Sequence, residues 1–556
     1  MQRVNEYVRT HGLQYTLRHG CEKLSERYLR TYDRLWRSIA PVPEELERQR
    51  ACPPWNGTVS ILVPVYRTDP ELLDALFRSI SDQTYEQFEV IAYATGERAE
   101  TDQVLQAWGS RDARFRVYHG EENLGISGNT NRAAAYAEGE YIALCDHDDL
   151  LSPEALWQVA RRIAETGADV VYTDEDKITE DGRVHTDPHC KPDLCETNLL
   201  SSNYVCHFLA VKREVWEQAG GERSEYDGSQ DHDLMLRLME ITDRVEHVPM
   251  ILYHWRTVGS SMSHRNLERC TQLSRAAVQA HLDRTCGGEA WVDRDVVRFR
   301  FPVKDTVSVD VVILESRPGA GEACRERMEQ DKWKQKTVRV VSTGGDRFAA
   351  MNRACQESCA DAVLFLDASV QVGSRNLISD MLPLAMHEGT GFVTPCLTDE
   401  RGRVTHAGFA VGGEVVAICR QEGVPRKSGG WHLLLRQVHE VSAVSAACMM
   451  ICRERFRPFR KICSGGLESV DLCLRLQQAG LHHLYLPGEA AVCTQKDLLL
   501  SGSRRPEEDL RAMRQAWPDL QDRCWNPCYD PGHADGRLAG AEVIRRVWRE
   551  NTYAKR

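Results

Sequence analysis

The chain has 556 residues, of which 42% are hydrophobic and 27% charged, and its formal net charge is -12 at pH 7. This length exceeds what one hydrophobic core usually organises, so we expect at least two domains. The acidic balance argues against a nucleic-acid-binding protein, because such proteins displace counterions from phosphate with basic surfaces. No segment has the roughly 18 apolar residues of a membrane span, and residues 1–10 lack the apolar core of a secretory signal, which predicts a cytoplasmic protein.

The first third of the chain alternates apolar strands with helical patterns. Val59–Val65 is a nearly continuous apolar run, typical of a parallel strand that is covered on both faces. Asp69 and Pro70 then begin a helix as N-cap and first helical residue. The next predicted elements are strands over Phe88–Ala94 and Phe115–Tyr118, a helix over Asn131–Glu138, a strand over Tyr141–Cys145, a helix from Ser152 to about Glu165 and a strand over Val170–Thr173. This alternation predicts a doubly wound α/β sheet.

An internal repeat indicates two related domains in tandem. Asn131 precedes Asp146 by 15 residues, and Asn352 precedes Asp367 by the same 15. The segment SQDHDLMLRLME later in the first copy corresponds to LESVDLCLRLQQ in the second. Val59 precedes Asn131 by 72 residues, whereas Val307 precedes Asn352 by only 45. The second copy should therefore lack about one strand and one helix.

The repeat and the element pattern divide the chain into five predicted segments. A helix over Asn266–Leu282 and an extended stretch should connect the two copies, and the longest apolar run, Val441–Cys452, predicts a buried strand of the second. The segments are an N-terminal helical extension (1–57), a first domain (58–262), a helix and linker (263–305), a second domain (306–497) and a C-terminal tail (498–556).

Several carboxylates cluster directly after one predicted buried strand. Asp146, Asp148 and Asp149 lie at the carboxyl end of that strand, where open α/β sheets bind their ligands. Crowded carboxylates are tolerated where a divalent cation or water offsets their charge, so a metal site and a solvated acidic turn both remain open.

A second acidic element begins a helix further along the chain. Ser229 can cap this helix, whose first turn contains Asp231 and Asp233. Acidic residues there stabilise the helix dipole, and the same field keeps a carboxylate ionised, as a general base requires. Residues two apart on a helix face different directions, so we expect at most one of the pair to meet a substrate.

Five motifs in this order resemble the family 2 glycosyltransferases, particularly the tandem-domain bacterial members of O-antigen, rhamnan and other surface-polysaccharide assembly. They are VSILVPVY (59–66), ENLGISGNTN (122–131), ALCDHDDLLSPEAL (143–156), YDGSQDHDLMLRL (226–238) and HVPMILYHWR (247–256). The resemblance covers most of the chain. It implies two tandem GT-A domains of Rossmann-like α/β fold and an inverting hexosyl or deoxyhexosyl transfer from a nucleotide-diphosphate sugar. The acceptor would be a hydroxyl of a growing cell-surface glycan or a lipid-linked oligosaccharide.

The resemblance also implies roles for individual residues. Asp146 and Asp148 look like the DxD pair that binds Mn²⁺ or Mg²⁺, with Asp146 also near the ribose, and Asp231 looks like the catalytic base. His254 is similar to a late histidine that approaches the metal or the diphosphate, although a hydrogen-bonded core histidine is the alternative. The nucleotide pocket would be formed by Pro64, Val65, Tyr66, Thr95, Asn123, Gly125 and Asn131. Residues assigned to acceptor binding or to support are Asp149, Gln230, Asp233 and Trp255.

One departure from the family pattern concerns the donor base. After the second strand the family usually has an Asp-Asp pair that contacts the base, but Ala94 and Thr95 stand here. Thr95 could hydrogen-bond a uracil or a thymine, whereas a guanine would need other contacts.

The second copy lacks the carboxylates that carry the chemistry in the first. Asp367, Ala368 and Ser369 replace the DxD region, and Ser469 takes the place of Asp231. We therefore predict a degenerate domain, and a second active transferase is the alternative.

Three other functions compete with transfer by the first copy. A non-catalytic carbohydrate-binding or scaffold protein is the main one, and the three intact aspartates of the first copy oppose it. A sugar-nucleotide pyrophosphorylase should have a glycine-rich loop where this chain has VPVYRTDP. A processive membrane synthase would need spanning helices.

The N-terminal segment has an amphipathic pattern. Its apolar residues fall on one helical face amid four arginines, and they are Leu24, Tyr28, Tyr32, Leu35, Trp36 and Ile39. Such a helix either lies on anionic lipid, which would place the protein at the inner face of the membrane, or packs on its own catalytic domain.

Overall fold

A computed structural model describes residues 31–96, 98–257, 266–413, 416–462, 466–493, 499, 506–533 and 536–550. The chain divides into two compact units. Unit 1 comprises Met1–Lys191, Val205–Asn266 and Gly540–Arg556, and unit 2 comprises Pro192–Tyr204 and Leu267–Ala539. None of the helices in the described parts of the chain has the length and apolar character needed to cross a bilayer.

Unit 1 is built on a nine-stranded mixed sheet. Its strands are β1 (Val59–Tyr66), β2 (Phe88–Thr95), β3 (Phe115–Gly120), β4 (Tyr141–Leu144), β5 (Leu150–Leu151), β6 (Val170–Ile178), β7 (His185–His189), β8 (Leu209–Lys212) and β9 (Val245–Arg256). They lie in the order β3-β2-β1-β4-β8-β6-β9-β5, with β7 paired to β6. The first four in this order are parallel, whereas β8 is antiparallel to both of its neighbours. The predicted α/β fold class is confirmed.

Helices connect the parallel strands of unit 1, as parallel pairing requires. Together with the helices outside the sheet connections, the helices of unit 1 span residues 31–39, Pro43–Ala51, Pro70–Ser81, Ala99–Arg111, Gly125–Ala134, Ala155–Thr166, Arg213–Ala219, Gln230–Ile241 and Ala541–Glu550. Asp69 caps its helix as predicted, because its carboxylate accepts a hydrogen bond from the Glu71 amide at 2.9 Å.

The predicted bounds of one helix in unit 1 were wrong. The helix expected over Asn131–Glu138 instead spans Gly125–Ala134. Its first turns are rich in buried polar residues, which hide the helical pattern in the sequence. Ser127 donates a hydrogen bond to Asp227 and Asn129 donates one to Asn123, so tertiary contacts satisfy these side chains.

Unit 2 has a second mixed sheet and two hairpins. Its strands are β10 (Glu289–Asp293), β11 (Val296–Arg300), β12 (Val309–Glu315), β13 (Lys336–Ser342), β14 (Ala362–Asp367), β15 (Thr390–Thr398), β16 (Val404–His406), β17 (Phe409–Gly412), β18 (Val416–Cys419), β19 (His439–Val441), β20 (Cys448–Cys452) and β21 (His482–Val492). The larger sheet has the order β13-β12-β14-β20-β15-β21-β19, with β16 on β15. The α-helices span Glu196–Ser201, Leu267–Thr285, Glu322–Glu329, Arg347–Glu357, Leu377–Met386, Glu468–Gln478 and Glu507–Ala516.

The apolar run Val441–Cys452 is not one strand, so that prediction was wrong. It contributes the end of β19 and the whole of β20, which occupy different positions in the sheet. Ser445 interrupts the run, because its amide donates to His406 at 3.1 Å and its hydroxyl accepts from the Ala447 amide at 3.1 Å.

The two sheets repeat the same core order. The series β2-β1-β4-β8-β6-β9 of unit 1 matches β13-β12-β14-β20-β15-β21 of unit 2. Val59 pairs with Phe88 and Tyr141, and Val309 pairs with Lys336 and Ala362. Among the residues that the structure describes, unit 2 has no strand in the place of β3. The second sheet thus has the arrangement that a shortened second copy predicts, while the tandem-domain organisation and the five segment boundaries remain predictions.

Candidate active site

The loop after β4 of unit 1 is fixed by the most buried of its carboxylates. Asp149 is 1% exposed and accepts hydrogen bonds from the Tyr253 hydroxyl at 2.6 Å and from the Arg256 amide at 2.7 Å. Burial and the charges of Asp148 and Asp146 raise the pKa of Asp149 well above its usual range. Asp149 therefore fixes the position of the loop through its hydrogen bonds to β9.

The other two carboxylates of this loop remain accessible. Burial and the charge of Asp146 raise the pKa of Asp148, although His147 opposes this change. Burial also disfavours the ionised form of Asp146, but the hydrogen bond and charge of His207 outweigh it, and the pKa of Asp146 is lowered. A carboxylate whose ionisation is disfavoured by a neighbouring carboxylate is a group that a divalent cation stabilises.

His207 is a functional candidate that the sequence analysis missed. It precedes β8, and its Nε2 lies 3.6 Å from the Asp146 carboxylate while its Nδ1 lies 3.3 Å from Glu175. Burial lowers the pKa of His207, but its interactions with Asp146, Cys206 and Glu175 outweigh this effect and raise the pKa well above its usual range. The ring stacks on Tyr253 at 4.9 Å. A lone histidine in the segment NYVCHFL gives no spacing signal that could have identified it.

The residues present fit a divalent metal ion. One oxygen each of Asp146 and Asp149 and one nitrogen of His207 lie within 4.8 Å of one another. Carboxylate oxygens with an imidazole suit Mn²⁺, and the oxygens alone suit Mg²⁺. The metal role of Asp148 remains a prediction.

His254 lies in a different cluster from Asp146. Its Nδ1 is 2.6 Å from the Asp176 carboxylate, which His185 also contacts at 2.9 Å and the Tyr32 hydroxyl at 2.8 Å. Successive side chains of a strand point to opposite faces, and Tyr253 is the neighbour on β9 that reaches the Asp146 loop. The proposed metal role of His254 stays a prediction. The adjacent Trp255 ring lies 5.6 Å from that of His207.

A cleft with about 510 Å³ of open space lies at the carboxyl ends of β1 and β4. It brings together four of the sequence-predicted residues, which are Pro64, Asp146, Gln230 and Asp231. Its other polar side chains include Thr130, His207 and Glu222. The cleft therefore unites the predicted metal-binding region with the predicted base.

The two aspartates at the start of helix Gln230–Ile241 have different surroundings. Asp231 lines the cleft, and its carboxylate accepts a hydrogen bond from the His232 amide at 2.9 Å. Asp233 is fully buried and forms an ion pair with Arg237 at 2.6 Å. Asp231 is thus the carboxylate available to a substrate, and Asp233 holds the helix in place. Ser229 occupies the N-cap position without a capping side-chain hydrogen bond.

The residues predicted for the nucleotide pocket follow β1, β2 and β3. Val65 is fully buried at the end of β1, whereas Tyr66 is 38% exposed. The Thr95 hydroxyl is 3.2 Å from the Asn129 amide, which also donates to Asn123 at 2.8 Å. These contacts order the loop, and Tyr66 and Asn123 are the exposed residues of the group.

Two further residues of that predicted pocket make contacts within the protein. Gly125 has φ +79, and a Cβ there would lie 2.3 Å from the Asp227 carboxylate. The Asn131 amide group donates to the Glu222 carbonyl at 2.7 Å, and its oxygen accepts from the Glu222 amide at 3.0 Å. Their contribution to nucleotide binding stays a prediction.

Glu222 is the second residue that the sequence analysis missed. Its side chain lines the cleft, the residue is 6% exposed, and its Oε2 has no hydrogen-bond partner in the described parts of the chain. Burial and the charges of Asp231 and Asp146 raise its pKa to about 8.

The equivalent positions in unit 2 are occupied differently. Asp367 ends β14 as Asp146 follows β4, but its carboxylate forms an ion pair with Arg347 and accepts from the Ser369 amide at 2.9 Å. Asp471 and Arg475 repeat the buried pair of unit 1 at 2.8 Å. Unit 2 therefore repeats the buried ion pair of unit 1, but its aspartate at the place of Asp146 is already paired with an arginine.

Part of this chain is similar to known proteins. Residues 60–217 match the family model described as Glycosyl transferase family 2. The chain is 31% identical to the uncharacterized protein y4gI of Sinorhizobium fredii, over 86% of this chain and 58% of that protein. It is 28% identical to the O-antigen biosynthesis protein RfbC of Myxococcus xanthus, over 85% of this chain and 40% of that protein. The chain thus spans less than two thirds of the length of either relative.

A solved structure is also similar in part. The crystal structure of S. aureus TarS 1-349 in complex with UDP-GlcNAc has a TM-score of 0.35 and 17% identity, covering 40% of this chain and 66% of that chain. A TM-score this low carries no conclusion of its own.

Proposed function

We propose, from the match of residues 60–217 to the family 2 glycosyltransferase model, that unit 1 transfers a sugar from a nucleotide-diphosphate donor to a hydroxyl group. The observation that carries the proposal is the cleft that Asp146 and Asp231 both line. The acceptor is a growing cell-surface glycan or a lipid-linked oligosaccharide. The name of the RfbC relative, an O-antigen biosynthesis protein, supports this class of acceptor.

The Asp146 loop and His207 are the residues that would hold Mn²⁺ or Mg²⁺, with Asp148 as a further ligand. The cation would neutralise the charge that develops on the departing nucleoside diphosphate. Asp149 keeps the loop in position through its bonds to Tyr253 and Arg256. The Glu175 carboxylate behind His207 orients the imidazole toward Asp146.

Asp231 acts as the general base. Its carboxylate takes the proton of the acceptor hydroxyl, whose oxygen then attacks the anomeric carbon of the donor from the face opposite the diphosphate. The bond to the diphosphate oxygen breaks, and its electron pair leaves with the nucleoside diphosphate. This single displacement inverts the anomeric configuration.

We propose uracil or thymine as the base of the donor, because the Thr95 hydroxyl at the end of β2 can hydrogen-bond either base, whereas a guanine would need other contacts. The protein acts in the cytoplasm. In the helix over residues 31–39, Tyr32, Trp36 and Ile39 are buried within unit 1. Membrane contact through this helix would therefore depend on residues 1–30, which lie outside the described residues and include Leu24 and Tyr28.

Unit 2 has a supporting role in this proposal. The carboxylate of Asp367 is already paired with Arg347, and Ser469 cannot act as a base without an activating group. The unit positions the acceptor glycan or stabilises unit 1.

A donor screen tests the proposal. Purified protein is incubated with UDP-, GDP- and dTDP-sugars in the presence of Mn²⁺ or Mg²⁺, with and without excess chelator. We expect hydrolysis or transfer for at least one UDP- or dTDP-sugar, its loss with chelator and its return with added metal. Turnover in excess chelator, or no binding of any nucleotide sugar, would contradict it. A product with retained anomeric configuration would exclude the single displacement.

A further inference from the structure

Glu222 is a buried acid in the cleft of unit 1 that the proposed mechanism does not use. We propose that its carboxyl group binds a hydroxyl of the transferred sugar and so contributes to donor specificity. This inference rests on the proposed glycosyl transfer. It extends that proposal from the reacting groups to the recognition of the sugar.

The backbone of Glu222 is held rigidly at this point. Both hydrogen-bonding groups of the Asn131 side chain are used by the Glu222 backbone, at 2.7 and 3.0 Å. The preceding Gly221 has φ +69, and a Cβ there would lie 2.3 Å from the Asn131 oxygen. The side chain of Glu222 therefore starts from a fixed position beside the cleft.

In unit 2, the position equivalent to Glu222 is occupied by Phe459. Asn352 holds the backbone of Phe459 in the same way, with bonds of 3.1 and 2.8 Å. Phe459 is 6% exposed and packs against Phe348 and Phe456 at ring distances of 4.8 and 5.7 Å. The repeated framework thus accepts an apolar side chain here, and the carboxyl group of unit 1 is not required for the fold.

The carboxyl group of Glu222 is only partly satisfied within the protein. Its Oε2 has no hydrogen-bond partner in the described parts of the chain. Burying a polar oxygen without a partner opposes folding, and such groups in native proteins call for an explanation. A ligand hydroxyl in the cleft would supply the missing hydrogen bond.

The location of Glu222 identifies which part of the substrate it meets. Glu222 lines the same cleft as Asp231, the proposed base, and Asp146, the proposed metal ligand. In an in-line displacement the transferred sugar lies between the acceptor hydroxyl and the diphosphate. A carboxyl group beside both aspartates therefore lies beside the hydroxyls of that sugar.

The carboxyl groups that line the cleft disfavour one class of sugar substituent. The described residues that line it include no lysine or arginine, while three carboxyl groups do line it. An anionic substituent such as a uronic acid carboxylate is therefore disfavoured. A neutral hydroxyl fits, because a carboxyl oxygen accepts its hydrogen bond.

The experiment separates sugar binding from nucleotide binding. Titration calorimetry with Mn²⁺ is run for wild type, Glu222→Leu and Glu222→Gln. The probes are UDP, GDP and dTDP, and UDP-glucose, UDP-N-acetylglucosamine, GDP-mannose and dTDP-rhamnose. Phe459→Leu serves as the matched control in unit 2.

For the sugar nucleotide that wild type binds most tightly, we expect Glu222→Leu to raise Kd about tenfold, which corresponds to the loss of one hydrogen bond. The Kd of the matching nucleoside diphosphate should change less than about twofold. Glu222→Gln should recover most of the affinity, because its amide oxygen also accepts, and Phe459→Leu should match wild type.

Three results would overturn the inference. Unchanged sugar-nucleotide affinity in Glu222→Leu would remove the contact, and an equal loss for the nucleoside diphosphate would assign Glu222 to the nucleotide or metal site. If wild type binds nucleoside diphosphates but gains nothing from any sugar, the sugar contact fails while the nucleotide site stands. Wild type that binds none of the probes would contradict the proposed function itself, and the inference with it.

Discussion

Units 1 and 2 share a framework and differ in the groups that face the carboxyl ends of their strands. Both have the same core strand order, the same buried ion pair four residues apart, and an asparagine that holds the same turn. The residues common to both copies are therefore those that the fold needs. What unit 1 has in addition points to its chemistry.

The contrast is clearest at the first aspartate of each unit. Asp146 faces His207 at 3.6 Å, a group that can lose its proton and then bind a metal ion. Asp367 is instead paired with Arg347, which stays charged under all ordinary conditions. A cation would have to displace an arginine to reach Asp367. The same residue type is thus available to a metal ion in one unit and already neutralised in the other.

The largest expected difference between the units concerns the general base, Asp231. Asp231→Asn should lower kcat by about 10² to 10⁴-fold, because loss of a general base has effects of that size. Ser469→Ala, at the equivalent position of unit 2, should leave kcat unchanged. Single-turnover kinetics with saturating donor would measure both variants. A near-normal rate for Asp231→Asn would reassign this residue to a structural role at the helix start.

The stability of the two units should respond differently to acid. In unit 2, burial lowers the pKa of His406 and His439 to about 3 and that of His483 to about 4. These histidines take up protons in the unfolded chain below about pH 6.5, so their contribution to stability is lost as the pH falls from there toward 4. The loss is on the order of 1.4 kcal/mol per pH unit for each histidine. In unit 1, the pKa of His207 is raised instead.

Hydrogen exchange at pH 7 and pH 5 checks this difference. Amides of β15 and β21 in unit 2 should lose protection at pH 5, whereas those of β1 and β4 in unit 1 should retain it. His406→Gln, which cannot titrate, should reduce the pH dependence of unit 2. Equal loss of protection in both units would contradict the attribution of this pH dependence to the buried histidines of unit 2.

The smallest expected effect tests the shared asparagines. Asn131→Ala and Asn352→Ala each leave a backbone amide and a carbonyl without a partner, and each unsatisfied group costs about 1–3 kcal/mol. Differential scanning calorimetry should show similar losses of stability for the two variants. Transfer activity should fall only in Asn131→Ala, because that variant also releases the backbone of Glu222.

Much of the framework could be predicted from sequence because its signals are local. The apolar run of β1 and the cap of the next helix needed only neighbouring residues, and the repeat revealed the shortened second copy. The helix Gly125–Ala134 was misplaced because its buried polar residues are satisfied by distant partners such as Asp227. Local pattern contains no information about those partners.

Only some residues of the candidate site could be predicted from the sequence. Asp146 and Asp231 belong to motifs, and the structure brings both to one cleft. His207 and Glu222 belong to no recognisable spacing, and their importance comes from what surrounds them after folding. His254 stands in a family motif, yet its hydrogen-bond partner here is Asp176. Positions on a strand determine which face a side chain occupies, but not which distant residue it will meet.

The most direct test of the account compares the two units in one transfer assay. Asp148→Ala removes a predicted metal ligand of unit 1, and a double variant, Asp367→Ala with Glu468→Ala, removes the two acids of unit 2 that align with Asp146 and Gln230. The account predicts that Asp148→Ala abolishes detectable sugar transfer while the double variant retains wild-type turnover. Residual transfer by Asp148→Ala that disappears when Asp367 is also changed would show that unit 2 is catalytic and would contradict it.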